Sequence, residues 1–319
     1  MYVVSHLNMT PSPSISVILP TFNRMEFLPE AVESVLRQTD RDWELIIADD
    51  GSGEETKAYL RSLDDPRVRV LFLDHSGRPS VPRNAAIRAA RGTYLAFMDS
   101  DDIWAPAKLD VQRRAMRAAP DRRWSYTALS IIDTEGRAMS DAGLKPRIPY
   151  DGDILERVLR VDAIIATPAV MAERSLVEEI GRFDEEQVVN EDYDLWMRLA
   201  MRSPVTAVAE SLVFVRHKDG RRYKENIIGS CEGWIRLYGK MLNCLAEPRL
   251  RAIARRRRAQ NALQLAWVYA DAGDQAAARR TLREALSYSW IYPGWVWGAA
   301  KAALPPPWRS FYRKLKRRT

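Results

Sequence analysis

Asp99-Ser100-Asp101 sets two carboxylates two residues apart, with Asp102 following. A loop with that spacing can aim both acids at one hard cation. Mg²⁺ and Mn²⁺ take such oxygen ligands and often share them with substrate phosphates. The same residues also suit a solvated acidic turn capping a helix. Asp49-Asp50-Gly51-Ser52 is a second acidic cluster. It reads either as a turn with an N-cap or as acceptors for a base N–H or a ribose hydroxyl. Glu191-Asp192 is a third. These acids either stabilise a helix N-terminus through its dipole, a role Asp194 fills equally well, or supply a general base toward a hydroxyl. Arg83 opens a helical stretch, where guanidinium and helix N-terminus both attract a diphosphate; the alternative is an ordinary surface arginine. His217 is a metal or phosphate contact, or a surface histidine.

The elements that must hold these groups show in the hydrophobic pattern. Residues 15–20 read as a short buried strand ended by Pro20, and 43–48, 68–73 and 93–98 read as further strands. Helical spacing covers 28–38, 54–63 and 82–90. Strands alternating with helices at short spacing predict an α/β fold with a mostly parallel sheet. In such sheets ligands bind beyond the C-terminal ends of the strands. The polar segments 20–24, 49–52 and 99–102 all fall there. Further on, the pattern predicts a basic helix over 110–119, a strand over 124–132 and a hairpin turn over 133–136. A short strand over 167–171, helices over 175–180 and 192–201, and a strand over 211–216 follow. From Ile227 the pattern is wholly helical.

Charge divides the chain in the same place. Residues 219–319 hold 21 Lys and Arg against 7 Asp and Glu, whereas the stretch before them holds 28 against 35. An acidic front and a basic end predict two regions with different partners. The expected organisation is a flexible N-terminal tail over 1–14, an α/β domain over 15–220, and a helical, basic, Trp-rich extension over 221–319, with the boundary near 219–226. Cys231 and Cys244 form neither a disulfide framework nor a C-x-x-C pair. Residues 1–14 lack the order of a signal peptide, and no apolar run is long enough to span a bilayer. The cytoplasm is therefore the expected compartment. Trp290, Trp295, Trp297 and Trp308 stand among Lys301, Arg309, Arg313, Lys314, Lys316, Arg317 and Arg318. This suits peripheral attachment to the anionic inner face of a membrane, or core aromatics beside a solvated cationic tail. No recognised motif supports nucleic acid as a partner.

Taken together, these segments resemble glycosyltransferase family 2. The resemblance is carried by 16–24 (SVILPTFNR), 44–52 (ELIIADDGS), Arg83-Asn84-Ala85-Ala86-Ile87, 92–102 (GTYLAFMDSDD) and 191–196 (EDYDLW), in matching order and spacing. It implies a GT-A fold, a nucleotide-diphosphate-sugar donor, a divalent metal and inversion at the anomeric carbon. Pro20 and Thr21 match the first donor-binding loop. Asp50 matches the acid that reads the base, with Asp49 beside it, and Arg83 a basic residue near the diphosphate. Asp99 matches the ribose-side acid, Asp101 the metal ligand, Asp192 the base, and Glu191 a residue that positions the acceptor. His217 falls where many members carry a histidine. The sequence departs from the pattern at Val81-Pro82, where small residues are usual, and at Ala85-Ala86, where Ala-Gly is common. The implied role is synthesis of a surface polysaccharide or lipid-linked glycan. One alternative is a nucleotidyltransferase on a similar sheet, but 20–24 stand where its Gly-rich loop and Lys belong. The other is a non-catalytic nucleotide-sugar-binding or scaffold protein, against which Asp101 and Asp192 both speak. Residues 262–286 are similar to part of one tetratricopeptide repeat. A single repeat forms no array, so a helical hairpin is expected there.

Overall fold

A computed structural model describes residues 12–139, 149–217 and 227–288. Most of the expected N-terminal tail, the expected boundary at 219–226 and the Trp-rich stretch from Trp290 lie outside the described residues. The chain forms two compact units. The first is Met1–Ile154, Ile164–Glu185 and Arg198–His217; the second is Leu155–Ala163, Glu186–Met197 and Lys218–Thr319. Two short segments inside the 15–220 stretch thus belong to the helical unit.

The first unit is built on one eight-stranded sheet of β1 (Ile15–Thr21), β2 (Trp43–Asp49), β3 (Val68–Phe72), β4 (Tyr94–Phe97), β5 (Ile103–Trp104), β6 (Trp124–Ile132), β7 (Val170–Glu173) and β8 (Val205–Arg216). Their spatial order is β3-β2-β1-β4-β7-β6-β8-β5. The expected parallel pairing holds across β3, β2, β1 and β4. Beyond β4 the sheet is mixed, because β7 runs antiparallel to both β4 and β6. Every residue of β1 and β2 is buried, which is why these strands read as continuous apolar runs and not as alternation. Pro20 does not end β1. The register with β4 stops at Ile18↔Phe97, so Pro20 stands where that ladder has already finished.

Helices α1 (Leu28–Leu36), α2 (Glu54–Arg61), α3 (Ser80–Ala89) and α4 (Lys108–Ala118) connect these strands. The α1 stripe Leu28, Ala31, Val32 and Val35 is buried. Each large side chain of it contributes about 1.5–3 kcal/mol by leaving water. At the N-terminal ends of the strands the buried carboxylate of Glu44 accepts from Ser16 Oγ at 2.7 Å and from Arg91 N–H and Nε at 2.8 and 2.9 Å. Burial pushes its pKa up, but the hydrogen bonds from Ser16 and Arg91 and the Arg91 charge outweigh it and hold Glu44 below the usual carboxylate range. A Cβ on Gly92 would stand 2.6 Å from the Ser16 nitrogen, so this pin requires glycine. The sheet ends opposite the acidic loops are thereby locked.

Two local expectations shift, and two short elements appear that the pattern does not predict. Thr167–Ala169 is a 3₁₀ turn and β7 begins at Val170, since Pro168 has no N–H to give a ladder. The strand expected over 211–216 begins at Val205. Its register with β6 slips around Ala128, and 209–211 are exposed, which breaks the period-2 pattern that makes strands legible. The two-residue β5 and helix α5 (Leu155–Arg160) carry too short a pattern to be read. The hairpin turn after β6 forms as expected, with Gly136 at φ 79°.

α6 (Arg174–Glu179) completes the first unit, and α7 (Glu191–Ala200) begins in the second. The second unit continues through α8 (Ile227–Cys244), α9 (Pro248–Asp271) and α10 (Gln275–Tyr288). The expected hairpin is α9 with α10, starting earlier, at Pro248. Gly273 turns the chain at φ 88°, and Asp274 Oδ1 caps α10 through the Ala277 N–H at 2.9 Å. Ala259, Ala262 and Ala285 let the two helices close over Leu263. Among the described residues no helix is long and apolar enough to cross a membrane.

Candidate functional site

The C-terminal ends of β1 and β2 are in register at Thr21↔Asp49. The Asp50 N–H donates to the Thr21 carbonyl at 2.9 Å. Asn23, at φ 49°, donates its N–H to Ser52 Oγ at 2.9 Å and accepts the Gly53 N–H at 2.8 Å. The two loops are therefore one assembly. Asp49 is wholly buried and accepts the Ser52 N–H at 3.2 Å. Asp50 reaches to a third loop. Its Oδ1 accepts from the Ser76 N–H at 2.9 Å and the Ser76 hydroxyl at 2.8 Å. Its Oδ2 accepts the Gly77 N–H at 3.1 Å and lies 3.0 Å from His75 Nδ1. Gly51, at φ 76°, is needed twice over, because a Cβ there would meet the His75 nitrogen at 2.7 Å. The His75 ring stacks on Phe22 at 4.0 Å, and Phe22 is 39% exposed. An exposed aromatic face beside buried acceptors can take a planar heterocycle.

Arg83 lies in the first turn of α3. Its side chain is 7% exposed, its Nη2 is 2.8 Å from Asp99 Oδ1, and its guanidinium stands 5.3 Å from the Phe183 ring centre. The departure at Val81-Pro82 does not pull it away. Pro82 occupies the first helical turn, where a missing N–H costs nothing. Asn84 next to it holds the 183–185 segment, donating to the Phe183 and Glu185 oxygens, each at 2.9 Å.

Asp99 and Asp101 are half-buried, while Asp102 is buried and accepts the Arg216 N–H at 2.8 Å. Arg216 is the residue that sequence reasoning missed. Its side chain is 1% exposed, and its Nε donates to the Asp101 carbonyl at 3.0 Å. Nη1 donates to the Asp133 and Thr134 carbonyls at 3.1 and 2.8 Å, and Nη2 pairs with Glu30 at 2.5 Å. Most of these partners are backbone carbonyls distant in sequence, which no spacing announces. His75 went unseen as well, because its contacts with Asp50 join residues twenty-five apart in sequence. His217 is exposed, and its N–H donates to the Ile132 carbonyl at 2.7 Å.

Among the described residues no three His, Cys, Asp or Glu side chains are grouped to hold a metal ion. Asp99, Asp101 and His217 are thus not a preformed three-ligand cage, and Asp99 already faces Arg83. The residues fit a different mode, in which one or two carboxylates share a hard cation with substrate phosphates.

Glu191 and Asp192 belong to the second unit, at the start of α7. Both are half-buried, and Asp192 Oδ1 accepts the Tyr193 N–H at 2.7 Å. Asp194 is different: it is wholly buried and lies 2.7 Å from Lys240 Nζ. Of three acids in one helical turn, Asp194 holds the fold and the other two stay accessible. Burial, with the Glu232 charge, pushes the Cys231 thiol up to about 11, which favours its neutral form.

The structure thus brings Pro20, Thr21, Asp49 and Asp50 into one loop assembly and Arg83 against Asp99, with Asp101 in the same turn. Residues 16–140 match the model of Glycosyl transferase family 2. TuaG of Bacillus subtilis, named as a teichuronic acid biosynthesis glycosyltransferase, is 32% identical over 191 residues, covering 59% of this chain and 72% of that protein. S. aureus TarS 1–349, solved in complex with UDP-GlcNAc, superposes with a TM-score of 0.70 at 17% identity, over 91% of this chain and 88% of that one. The mannosyltransferase PcManGT of Pyrobaculum calidifontis, solved with GDP-Man and Mn²⁺, gives a TM-score of 0.58 at 19% identity, over 95% of this chain and 84% of that one. At these identities the two solved structures show a shared fold, the GT-A fold. The chain spans about a third of the length of the Rickettsia relatives it matches. With the family motifs at the ends of parallel strands and a relative matched over most of its length, the chain belongs to glycosyltransferase family 2.

Proposed function

We propose that this chain transfers a sugar from a nucleoside-diphosphate sugar to an acceptor hydroxyl, with inversion, in the synthesis of a surface polysaccharide or lipid-linked glycan. The observation that carries this reading is the Arg83–Asp99 pair at 2.8 Å, set at the ends of parallel strands beside the Thr21, Asp49 and Asp50 loops. A guanidinium at a helix N-terminus, half neutralised by one carboxylate, is poised to meet an anion. The names of TuaG, TarS with UDP-GlcNAc and PcManGT with GDP-Man support the donor class and the pathway class.

In this reading Pro20, Thr21, Asp49 and Asp50 line the nucleoside end of the donor, with Asp50 ordering the His75–Phe22 stack on which a base rests. Asp99 turns toward the ribose, and Arg83 meets the diphosphate. Asp101 and Asp99 are the residues that would hold Mn²⁺ or Mg²⁺, with His217 as a further candidate contact. Such a cation would supply neutralising charge for the departing diphosphate. Asp192 takes the proton of the acceptor hydroxyl and Glu191 orients that acceptor. Attack by this oxygen from the face opposite the leaving group inverts the anomeric carbon in one displacement.

The test is calorimetric titration of nucleoside diphosphates into wild type and Asp101→Ala, with Mn²⁺ and then EDTA, followed by turnover of the donor so identified. The expected result is metal-dependent binding lost in Asp101→Ala. Asp192→Asn should keep binding and lose about 10²–10⁴-fold in turnover. Equal affinity in every arm removes the metal role, and near-normal turnover by Asp192→Asn removes the base.

A further inference from the structure

The helical unit closes around the segment that carries Asp192. Gln187 is 1% exposed, and its Nε2 donates both to the Val189 carbonyl at 2.7 Å and to the Gly233 carbonyl of α8 at 2.9 Å. A Cβ on Gly233 would lie 2.8 Å from the Val189 oxygen and 3.0 Å from Asn190 Nδ2, so α8 rests directly on this backbone. Asn190, at φ 62°, turns the chain into α7 and accepts the Asp194 N–H at 3.1 Å. One turn on, Tyr193 meets Trp234 edge to face at 5.1 Å, and Trp234 stacks on buried Tyr238 at 5.6 Å. Asp194 is held by Lys240. These ties run along α8 from Gly233 to Lys240 and all land within five residues of Asp192 in sequence.

We infer that α8 is the positioning element of Asp192, with Gly233 and Gln187 as the positioning residues. This rests on the reading of Asp192 as the base. The chain turns through a left-handed residue just before α7, and such a turn keeps its geometry only when its surroundings over-determine it. Gln187 ties the Val189 carbonyl, just before that turn, to the Gly233 carbonyl of α8, and Gly233 lets α8 approach closely enough to be tied. A residue with a side chain at 233 pushes on the Val189 carbonyl, which is backbone and can yield only by moving the segment that leads to Asp192. Small displacements of a base cost turnover steeply, on the order of 10²-fold for about 1 Å. The residues assigned to the donor lie outside α8 and the 187–194 segment, so donor binding is expected to persist when α8 is perturbed. In this way α8 takes part in the transfer by holding Asp192 in place.

The experiment compares Gly233→Ala, Gln187→Met and Asp192→Asn with wild type. It measures kcat, donor KM and the calorimetric affinity and stoichiometry for the nucleoside diphosphate. The expected result for Gly233→Ala and Gln187→Met is a fall in kcat of about 10- to 10²-fold, with donor affinity and stoichiometry retained. Normal kcat in both variants while Asp192→Asn is disabled overturns the inference and leaves the base standing. Loss of binding stoichiometry in step with kcat in both variants marks a purely structural contact and also overturns it. Normal turnover by Asp192→Asn refutes the base itself and the inference with it.

Discussion

The side chain of Arg216 donates from Nε to the backbone carbonyl of Asp101 at 3.0 Å. The last residue of β8 therefore holds the peptide of the candidate metal ligand, and does so from a side chain almost wholly removed from water. Its other donors end on the Asp133 turn and on Glu30, so three separate segments share one guanidinium. A planar fork of five donors can do this, and an ammonium cannot.

Arg216→Lys should accordingly keep the charge and lose the geometry. Each charge-assisted bond lost costs about 1.5–3 kcal/mol where its partner stays buried. The expected outcome is a lower Tm together with metal-dependent diphosphate affinity weakened about tenfold, read by calorimetry. Unchanged affinity in a folded variant would mean that the Asp101 turn holds its shape without Arg216.

Gly51→Ala tests the loop assembly. A left-handed φ of 76° and a 2.7 Å approach to the His75 backbone nitrogen both oppose any side chain. Such strain costs on the order of 1–3 kcal/mol. Chemical denaturation should show that loss, and nucleotide affinity should drop because the 75–77 loop is moved off Asp50. Wild-type stability and affinity together would contradict the assembly described.

Lys108 yields a pH prediction. It is wholly buried, with Nζ 3.8 Å from the Trp104 ring centre. Burial lowers its pKa well below the ordinary lysine value. Between the folded and unfolded pKa values the unfolded chain binds more protons, so the stability tied to this group rises with pH and is lost as pH falls. Lys108→Met removes the group. Its stability gain over wild type should grow as pH falls below about 10.4 and vanish as pH rises above it. Urea unfolding of both proteins across that range measures it, and a pH-independent difference would refute it.

The stretch from Trp290 to Thr319 is proposed to hold the protein reversibly at an anionic membrane, close to a lipid-linked acceptor. Each Lys or Arg near such a surface adds about 1 kcal/mol, screened within a Debye length. Co-sedimentation with anionic vesicles at low salt is expected for the full chain, released at high salt and absent for a chain ending at Ser289. Equal sedimentation of both chains, or none by the full chain, would count against it.

Hydrophobic periodicity over residues 15–98 was enough to place the four parallel strands, because buried strands and amphipathic helices write their burial into local spacing. The acids at the strand ends were legible for the same reason, as each follows a run that must be a strand. What each acid does was not. Asp192 and Asp194 sit in the same first turn of α7, and nothing local separates them; Lys240 buries one and leaves the other half accessible. Asp50 is committed to Ser76 and Gly77, twenty-six and twenty-seven residues on. Arg216 and Gly233 act through backbone atoms of segments remote in sequence, and the bulge in β8 hides the first half of that strand. Local pattern carries information about which side of an element faces the core. Which distant partner meets a given carboxylate is decided only when the elements pack, since hydrogen bonds and ion pairs depend on separations of a few ångströms that sequence spacing does not encode.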